Sequence, residues 1–232
     1  MKLYELKGVQ KFYGNRCALS IDSLSLNKER FYSLYGPNGS GKTTLLNLLA
    51  FLDMPTRGSI FFEGKNIVSD PERVALHMRK RNSLTSLRKR VTLIMENPYL
   101  FQGDVLNNLI YGLAARSLPK KEMREKVEEI IRRFHLQNLK DRNVKRLSEG
   151  ERRLVALVRA VVLETDVLLL DEPTAHLDRV YTEIIEDFIF RLNREDKRTI
   201  IMSTHNLEEA ERFSQETIFL EGGKIWKGRG VK

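Results

Sequence analysis

Cysteine is almost missing from this chain, with Cys17 alone among 232 residues. A single thiol cannot form an internal disulfide, which excludes a disulfide-stapled secreted scaffold. No N-terminal stretch has the basic, apolar and small-residue order of a secretory signal, so a cytoplasmic protein is expected. Long apolar runs are missing too. Leu45 to Leu52 and Val167 to Leu170 fall well short of the roughly 20 residues that cross a bilayer, and any membrane role is expected to come through a partner. Nor does any run interleave aromatic and basic residues as single-strand binders do. The net charge of +9, with 31% charged residues, therefore reads as a solvated surface, and no nucleic-acid partner is expected. One local exception is Arg73 to Arg90, which holds Arg73, Arg79, Lys80, Arg81, Arg88, Lys89 and Arg90 with no acid between them. That stretch reads as a solvated face, with contact to phosphate, lipid headgroups or a partner as the alternative.

What is present starts with Gly36, Pro37, Asn38, Gly39, Ser40, Gly41, Lys42, Thr43 and Thr44, the spacing of a phosphate-binding loop. Its glycines permit turns that aim successive backbone N–H groups at one anion. Lys42 can reach the β- and γ-phosphates, and the Thr43 hydroxyl can ligate Mg²⁺. The context is the required one. Phe31 to Tyr35 reads as a buried strand entering the loop, and Thr44 to Leu52 as a helix leaving it, with its N-terminal dipole toward the phosphates. The length suits one sizeable α/β core and is too short for two nucleotide-binding units, so the chain is expected to carry half of any paired active site.

Residues 1 to 32 alternate apolar and polar positions around Tyr13-Gly14-Asn15, which predicts a small antiparallel sheet with a turn. Tyr13, or its neighbour Phe12, can stack on a nucleotide base. Arg57 to Lys65 reads as a strand pair turning at Gly64, and Val91 to Met95 as a core strand stopped by Pro98. From Val105 to Arg133 the periodicity is helical. Ser148 and Glu151 form a capping box for the next helix. Val167 to Asp171 is an apolar strand ending in the adjacent carboxylates Asp171 and Glu172, broken by Pro173, which puts both at a sheet edge where ligands bind. Adjacent carboxylates repel unless a cation compensates them. Thr199 to Ser203 is a further strand, leading His205 to the same edge. His77, His135 and His176 read as surface or packing residues.

Together these residues resemble the ATP-binding subunit of ABC transporters, in that family's order and over nearly the whole chain. Residues 36 to 44 are similar to its Walker A loop, Leu168 to Glu172 to its Walker B strand, Leu147 to Glu151 to its signature, Ala175 to Asp178 to its D-loop, and His205 to its switch histidine. Two positions depart from the usual pattern. Glu96 stands where the family has the Q-loop glutamine, and the signature reads Leu-Ser-Glu-Gly-Glu.

The resemblance implies an α/β fold: a P-loop NTPase core of mainly parallel sheet with an N-terminal antiparallel β-subdomain (1 to 96 and 161 to 232) and an inserted α-helical subdomain (97 to 160). It implies ATP and Mg²⁺ as cofactors, Asp171, Thr43 and Glu96 as metal ligands, and Glu172, His205 and Lys42 as the groups acting on the γ-phosphate. It implies that Ser148, Glu149, Gly150, Glu151 and Asp178 act in trans, on ATP held by a second copy, so that ATP joins a homodimer. The further partners it implies are transmembrane permease subunits, reached through Glu96 to Gln102 and the helical insert, and a solute-binding protein. The protein would then lie peripherally on the inner face of the cell membrane. Asn97 to Phe101 and Ile201 to Asn206 look most like oxyanion importers for tungstate, molybdate or phosphate. A soluble ATPase of the same family, acting on nucleic acid or the translation machinery, is the alternative. It is weighed down by the lack of sustained heptads between residues 45 and 147 and of a second ATPase unit.

Overall fold

The computed structural model describes residues 1–69, 81–114, 116 and 118–226. Strands β1 (Lys2–Tyr13), β2 (Arg16–Asn27), β4 (Arg57–Phe62) and β5 (Lys65–Ser69) form an antiparallel sheet in the order β2-β1-β4-β5. The second sheet runs β10-β9-β3-β8-β7-β6, from β3 (Phe31–Tyr35), β6 (Val91–Ile94), β7 (Val167–Asp171), β8 (Thr199–Thr204), β9 (Glu216–Glu221) and β10 (Lys224–Trp226). All its neighbours pair in parallel except β9 with β10. The helices are α1 (Lys42–Leu49), α2 (Arg81–Arg88), α3 (Val105–Ala114), α4 (Lys120–Arg133), α5 (Glu149–Val161), α6 (Arg179–Arg194) and α7 (Leu207–Phe213).

A strand buried on both faces reads as a continuous apolar run, and β7 and β8 show why. Alternate side chains feed different cores. Leu168, Leu170, Ile200 and Met202 pack with α3, α4, α5 and α6. Val167, Leu169 and Ile201 pack with α1 and the inner face of the antiparallel sheet, including Tyr4, Leu6, Val9 and Phe62. The parallel sheet is thus the middle layer, and its strand ends supply the loops that matter.

The antiparallel hairpin, the β4–β5 pair and the capped start of α5 stand as expected. Other boundaries differ. Helix α1 spans Lys42–Leu49, starting two and ending three residues earlier than expected, because Gly41 is already its N-cap and Phe51, at φ 57°, turns the chain out of helical conformation. Strand β6 ends at Ile94, before Met95 and well ahead of Pro98. The helical run from Val105 to Arg133 is two helices, with Pro119 as the N-cap of the second. Arg73, Arg79, Lys80 and His77 lie outside the described residues. Within the basic stretch, Arg88 donates twice to the Phe51 carbonyl, and Arg90 pairs with Glu63 and Asp166. Arg88 is exposed and Arg90 partly so, in keeping with a solvated face, and both also tie the chain together through these contacts.

Candidate nucleotide site

The C-terminal edge of the parallel sheet opens into a cleft of ≈ 450 Å³. Strand β3 delivers the chain to residues 36–41, and α1 carries it away. Gly36 N donates to Thr204 O at the end of the neighbouring β8 (3.4 Å), and Ser40 O accepts from Gly223 N (3.0 Å), so strand ends hold the loop from two sides. Gly41 has φ 105°, and a Cβ there would lie 2.9 Å from the Ala18 carbonyl, so both conformation and space require glycine. The cleft is lined by Asn38, Gly39, Ser40, Gly41, Lys42, Thr43 and Thr44, together with Tyr13, Glu96, Asp171 and Glu172. Gly36 and Pro37 do not line it; their carbonyls accept from Lys42 Nζ at 2.7 and 3.4 Å.

Strand β7 brings the two carboxylates into contact with this loop. Asp171 Oδ2 accepts from the Thr43 hydroxyl at 2.8 Å, and its Oδ1 accepts from Ser203 Oγ at 2.6 Å. Glu172 takes the left-handed region at φ 48°, a conformation that costs of the order of 1 kcal/mol or more for a residue with a Cβ. Its backbone is held there on both sides. Glu172 N donates to Ser203 Oγ (3.0 Å) and Ser203 O (3.2 Å), and Glu172 O accepts from Arg153 Nη1 (3.0 Å). Its side chain meets Lys42 Nζ at 3.1 Å through Oε1 and His205 Nδ1 at 2.8 Å through Oε2. Among the described residues the buried Ser40 hydroxyl has no hydrogen-bond partner, and Glu172 Oε1 has its ion pair with Lys42 alone. Glu209, buried on α7, accepts from the hydroxyls of Thr174 and Thr204, which flank Glu172 and His205.

Tyr13 ends β1 on the rim of the cleft, half exposed, whereas Phe12 does not line it. Burial, then the Asp53 carboxylate, raises the Tyr13 phenol above its ordinary value. Against partial desolvation, hydrogen bonds from Lys11 and Tyr13 hold the Asp53 carboxyl below the usual carboxylate range. Glu96 lines the cleft, with Oε1 3.8 Å from His176 Nε2. His176, expected as a surface residue, is indeed exposed but stands beside Glu96, one of the two positions that depart from the family pattern. Ser148, Glu149, Gly150, Glu151 and Asp178 do not line the cleft. Ser148 and Glu151 cap α5 reciprocally, at 3.2 and 2.7 Å, and Asp178 caps α6 through Tyr181 N at 2.9 Å. Gly150 packs beneath the Tyr181 ring.

Residues 19–175 match the family model described as ABC transporter. The chain belongs to the ABC transporter family. As an ABC ATP-binding subunit it binds and hydrolyses ATP. It is 32% identical over 225 residues to the tungstate uptake system ATP-binding protein of Peptoclostridium acidaminophilum, covering 97% of each chain. It is also 32% identical over 243 residues to the phosphate import ATP-binding protein of Mycoplasma mobile, covering 99% of this chain and 82% of that one. A spermidine/putrescine import ATP-binding protein of Legionella pneumophila is 33% identical, but this ABC subunit spans only 58% of its length. Among solved structures, an ATP-binding cassette dimer in a post-hydrolysis state with ADP and phosphate is 27% identical at a TM-score of 0.82, with 99% of both chains covered. The cbiO1 protein of Clostridium perfringens, part of an ABC transporter complex, is 25% identical at a TM-score of 0.85, covering 97% of this chain and 87% of that one.

Several residues of the site escaped the reading of the sequence. Ser203 carried a signal, since a hydroxyl at the C-terminal end of an apolar strand sits where ligands of such sheets bind. Arg153, Asp53 and Glu209 carried none, because only the tertiary fold brings them to their partners.

Proposed function

We propose that this chain powers import of an oxyanion through a separate permease, working as a homodimer that hydrolyses ATP at two sites shared between the copies. The observation that carries the shared site is a division of labour. Lys42, Thr43, Asp171 and Glu172 converge on one cleft, with His205 beside it against Glu172, while the signature residues and Asp178 lie off it, capping helices whose N-termini would suit the phosphate of another copy. The solved dimeric relative supports the same reading.

The residues fit a nucleotide and Mg²⁺. The Thr43 hydroxyl and Asp171 carboxylate are hard oxygen donors 2.8 Å apart, and the buried Ser40 hydroxyl has no partner among the described residues. Among the described residues no cluster of three or more His, Cys, Asp or Glu could hold a metal alone, which suits an ion completed by phosphate oxygens and water. Thr43 and Asp171, with Glu96 nearby, would hold Mg²⁺, whose charge when bound neutralises the phosphates. Lys42 supplies a point charge to the β- and γ-phosphates. Glu172 orients and polarises the attacking water. His205 donates from Nδ1 to Glu172, and a second donation from Nε2 to a γ-phosphate oxygen requires the imidazolium. Tyr13 offers the base a ring to stack on.

Cargo and partners rest on likeness. The tungstate relative matches end to end, and that match favours an oxyanion over the polyamine named for relatives that are matched over little more than half their length. Each of these relatives is named for uptake or import, which supports the transport reading over a soluble ATPase acting on nucleic acid. No helix among the described residues is long and apolar enough to cross a membrane, in keeping with a subunit that docks on a permease from the cytoplasmic face, with a solute-binding protein beyond it. The exposed rings of Tyr99 and Tyr111, joined through Phe101, offer an apolar docking face. Uptake of labelled tungstate, molybdate, phosphate and spermidine should be compared in cells with and without the gene. Loss of oxyanion uptake alone is expected; loss of spermidine uptake alone would overturn the cargo assignment.

A further inference from the structure

The Tyr13 hydroxyl interacts with the Thr44 side chain of the phosphate loop, but the ring is braced by residues outside that loop. Its hydroxyl donates to Asp53 Oδ2 at 2.7 Å. The other Asp53 oxygen accepts from Lys11 Nζ at 2.5 Å and from Met54 N at 2.7 Å. Lys11 Nζ also donates to Met54 O at 2.8 Å and stands 4.9 Å from the centroid of the Tyr13 ring. Lys11 is 12% exposed at the side chain and Asp53 29%, so this triad is partly withdrawn from solvent. Asp53 lies just beyond the C-terminal end of α1, the helix whose first turn carries Lys42 and Thr43. A ring on the antiparallel sheet is therefore tied, at its far end and on one face, to the helix that holds the phosphate ligands.

We infer that Asp53 and Lys11 are positioning residues that hold the Tyr13 ring in place for the nucleotide base. The inference rests on Tyr13 as the base platform proposed above. With a cation over one face, a base can stack only on the other, so the brace sets both the orientation of the ring and the side from which it is approached. A tyrosine at the exposed end of a hairpin would otherwise sample several staggered rotamers, and binding would have to select one. The brace makes that selection before the nucleotide arrives. Removing it should weaken binding of a base-bearing ligand by roughly two- to tenfold, the cost of immobilising one such side chain. Ligands without a base should be unaffected.

The test is calorimetric titration of the whole protein with ADP and with inorganic pyrophosphate, which fills the phosphate loop but has no base. Neither ligand is hydrolysed by an ATPase acting on a γ-phosphate. The variants are Tyr13→Ala, Tyr13→Phe, Asp53→Asn and Lys11→Met. Tyr13→Ala should weaken ADP at least tenfold. Asp53→Asn, Lys11→Met and Tyr13→Phe should each weaken it roughly two- to tenfold, with pyrophosphate affinity unchanged throughout. Tyr13→Phe keeps the ring and leaves the Lys11–Asp53 pair intact, so it decides the matter should an Asp53 variant fold poorly. If Tyr13→Ala weakens ADP while Tyr13→Phe and Asp53→Asn do not, the stacking stands and the brace is wrong. If Tyr13→Ala has no effect, the stacking itself fails and the brace with it. Equal loss for ADP and pyrophosphate in the Asp53 variant would overturn the inference by showing that Asp53 acts on the phosphate loop.

Discussion

Replacing Gly150 with alanine tests whether the signature glycine is demanded by packing within the chain, by the partner's nucleotide, or by both. A Cβ at this position would lie 2.3 Å from Cγ of Tyr181 and 2.6 and 2.7 Å from its two Cδ atoms. The collision is at the root of the ring, so rotating the ring about its own axis cannot relieve it; the whole side chain must leave. Overpacking of this kind costs about 1–3 kcal/mol. Alanine in place of glycine returns up to about 1 kcal/mol of helix propensity, and less in the first turn, where Gly150 sits. The net is a destabilisation of about 1–2 kcal/mol, a fall in Tm of roughly 2–8 °C for a chain of this size. In a Tyr181→Ala background the collision is gone, and Gly150→Ala should be neutral or slightly stabilising. Thermal melts of the four proteins read the sign change directly. ATPase assays on the same set separate the two demands, since Gly150→Ala with Tyr181→Ala should stay slow if the glycine also meets a phosphate in trans. Equal destabilisation by Gly150→Ala in both backgrounds would refute the packing argument.

Three further expectations follow from single contacts. Glu63 accepts from Arg90 at 2.7 and 2.8 Å and pairs with Lys28, and these partners lower its carboxyl from 4.5 to about 2. Because the folded-state value is depressed, the stabilisation is complete above the unfolded value and is lost as pH falls from about 4.5 toward 2. Allowing for solvent screening of a partly exposed group, Glu63→Gln should cost about 1–2 kcal/mol at pH 7 and nothing near pH 2, and denaturation at both ends of that window checks it. Glu96, a stronger oxygen ligand than glutamine but a negative charge near the phosphates, should make ATP binding more dependent on Mg²⁺. Titrations with and without chelator should show a narrower gap for Glu96→Gln, and an equal gap would place Glu96 away from the metal. Tyr99, 67% exposed, should tolerate Tyr99→Glu for folding and hydrolysis but lose assembly with the permease in co-purification; unchanged assembly would move the docking surface elsewhere.

The parts of this molecule that were legible in the sequence are those in which chemistry forces residues close together along the chain. A phosphate cradle needs consecutive N–H groups, and a capping box needs positions three apart, so residues 36–44 and Ser148 with Glu151 announce themselves. The paired carboxylates were equally plain, because Pro173 ends the strand that carries them. Long-range partners left little trace. Tyr13 was a candidate platform beside Phe12, but nothing in the chain linked it to Asp53, 40 residues away. Nothing in the chain marked Arg153, which is buried and donates to the Glu172 carbonyl. Arg88 and Arg90 read as solvated and do face solvent, but composition does not reveal that they also reach the Phe51 carbonyl and Glu63. The end of α1 was misplaced because Phe51 adopts a left-handed conformation that only the surrounding packing enforces.

On the proposed arrangement each ATP lies between the phosphate loop of one copy and the signature of another. Mixing two inactive variants tests it most directly. Lys42→Ala spoils the phosphate loop and leaves the signature, whereas Gly150→Asp, which also presses on Tyr181, spoils the signature and leaves the phosphate loop. In a mixed dimer one site loses both halves and the other keeps both, as two-fold symmetry requires. With random pairing half the dimers are mixed and each has one working site of two, so hydrolysis should recover to about a quarter of the wild-type rate. The account predicts that recovery when the two are combined, with neither variant active alone. Mixtures that remain as inactive as their components, although light scattering shows that they pair, would contradict it.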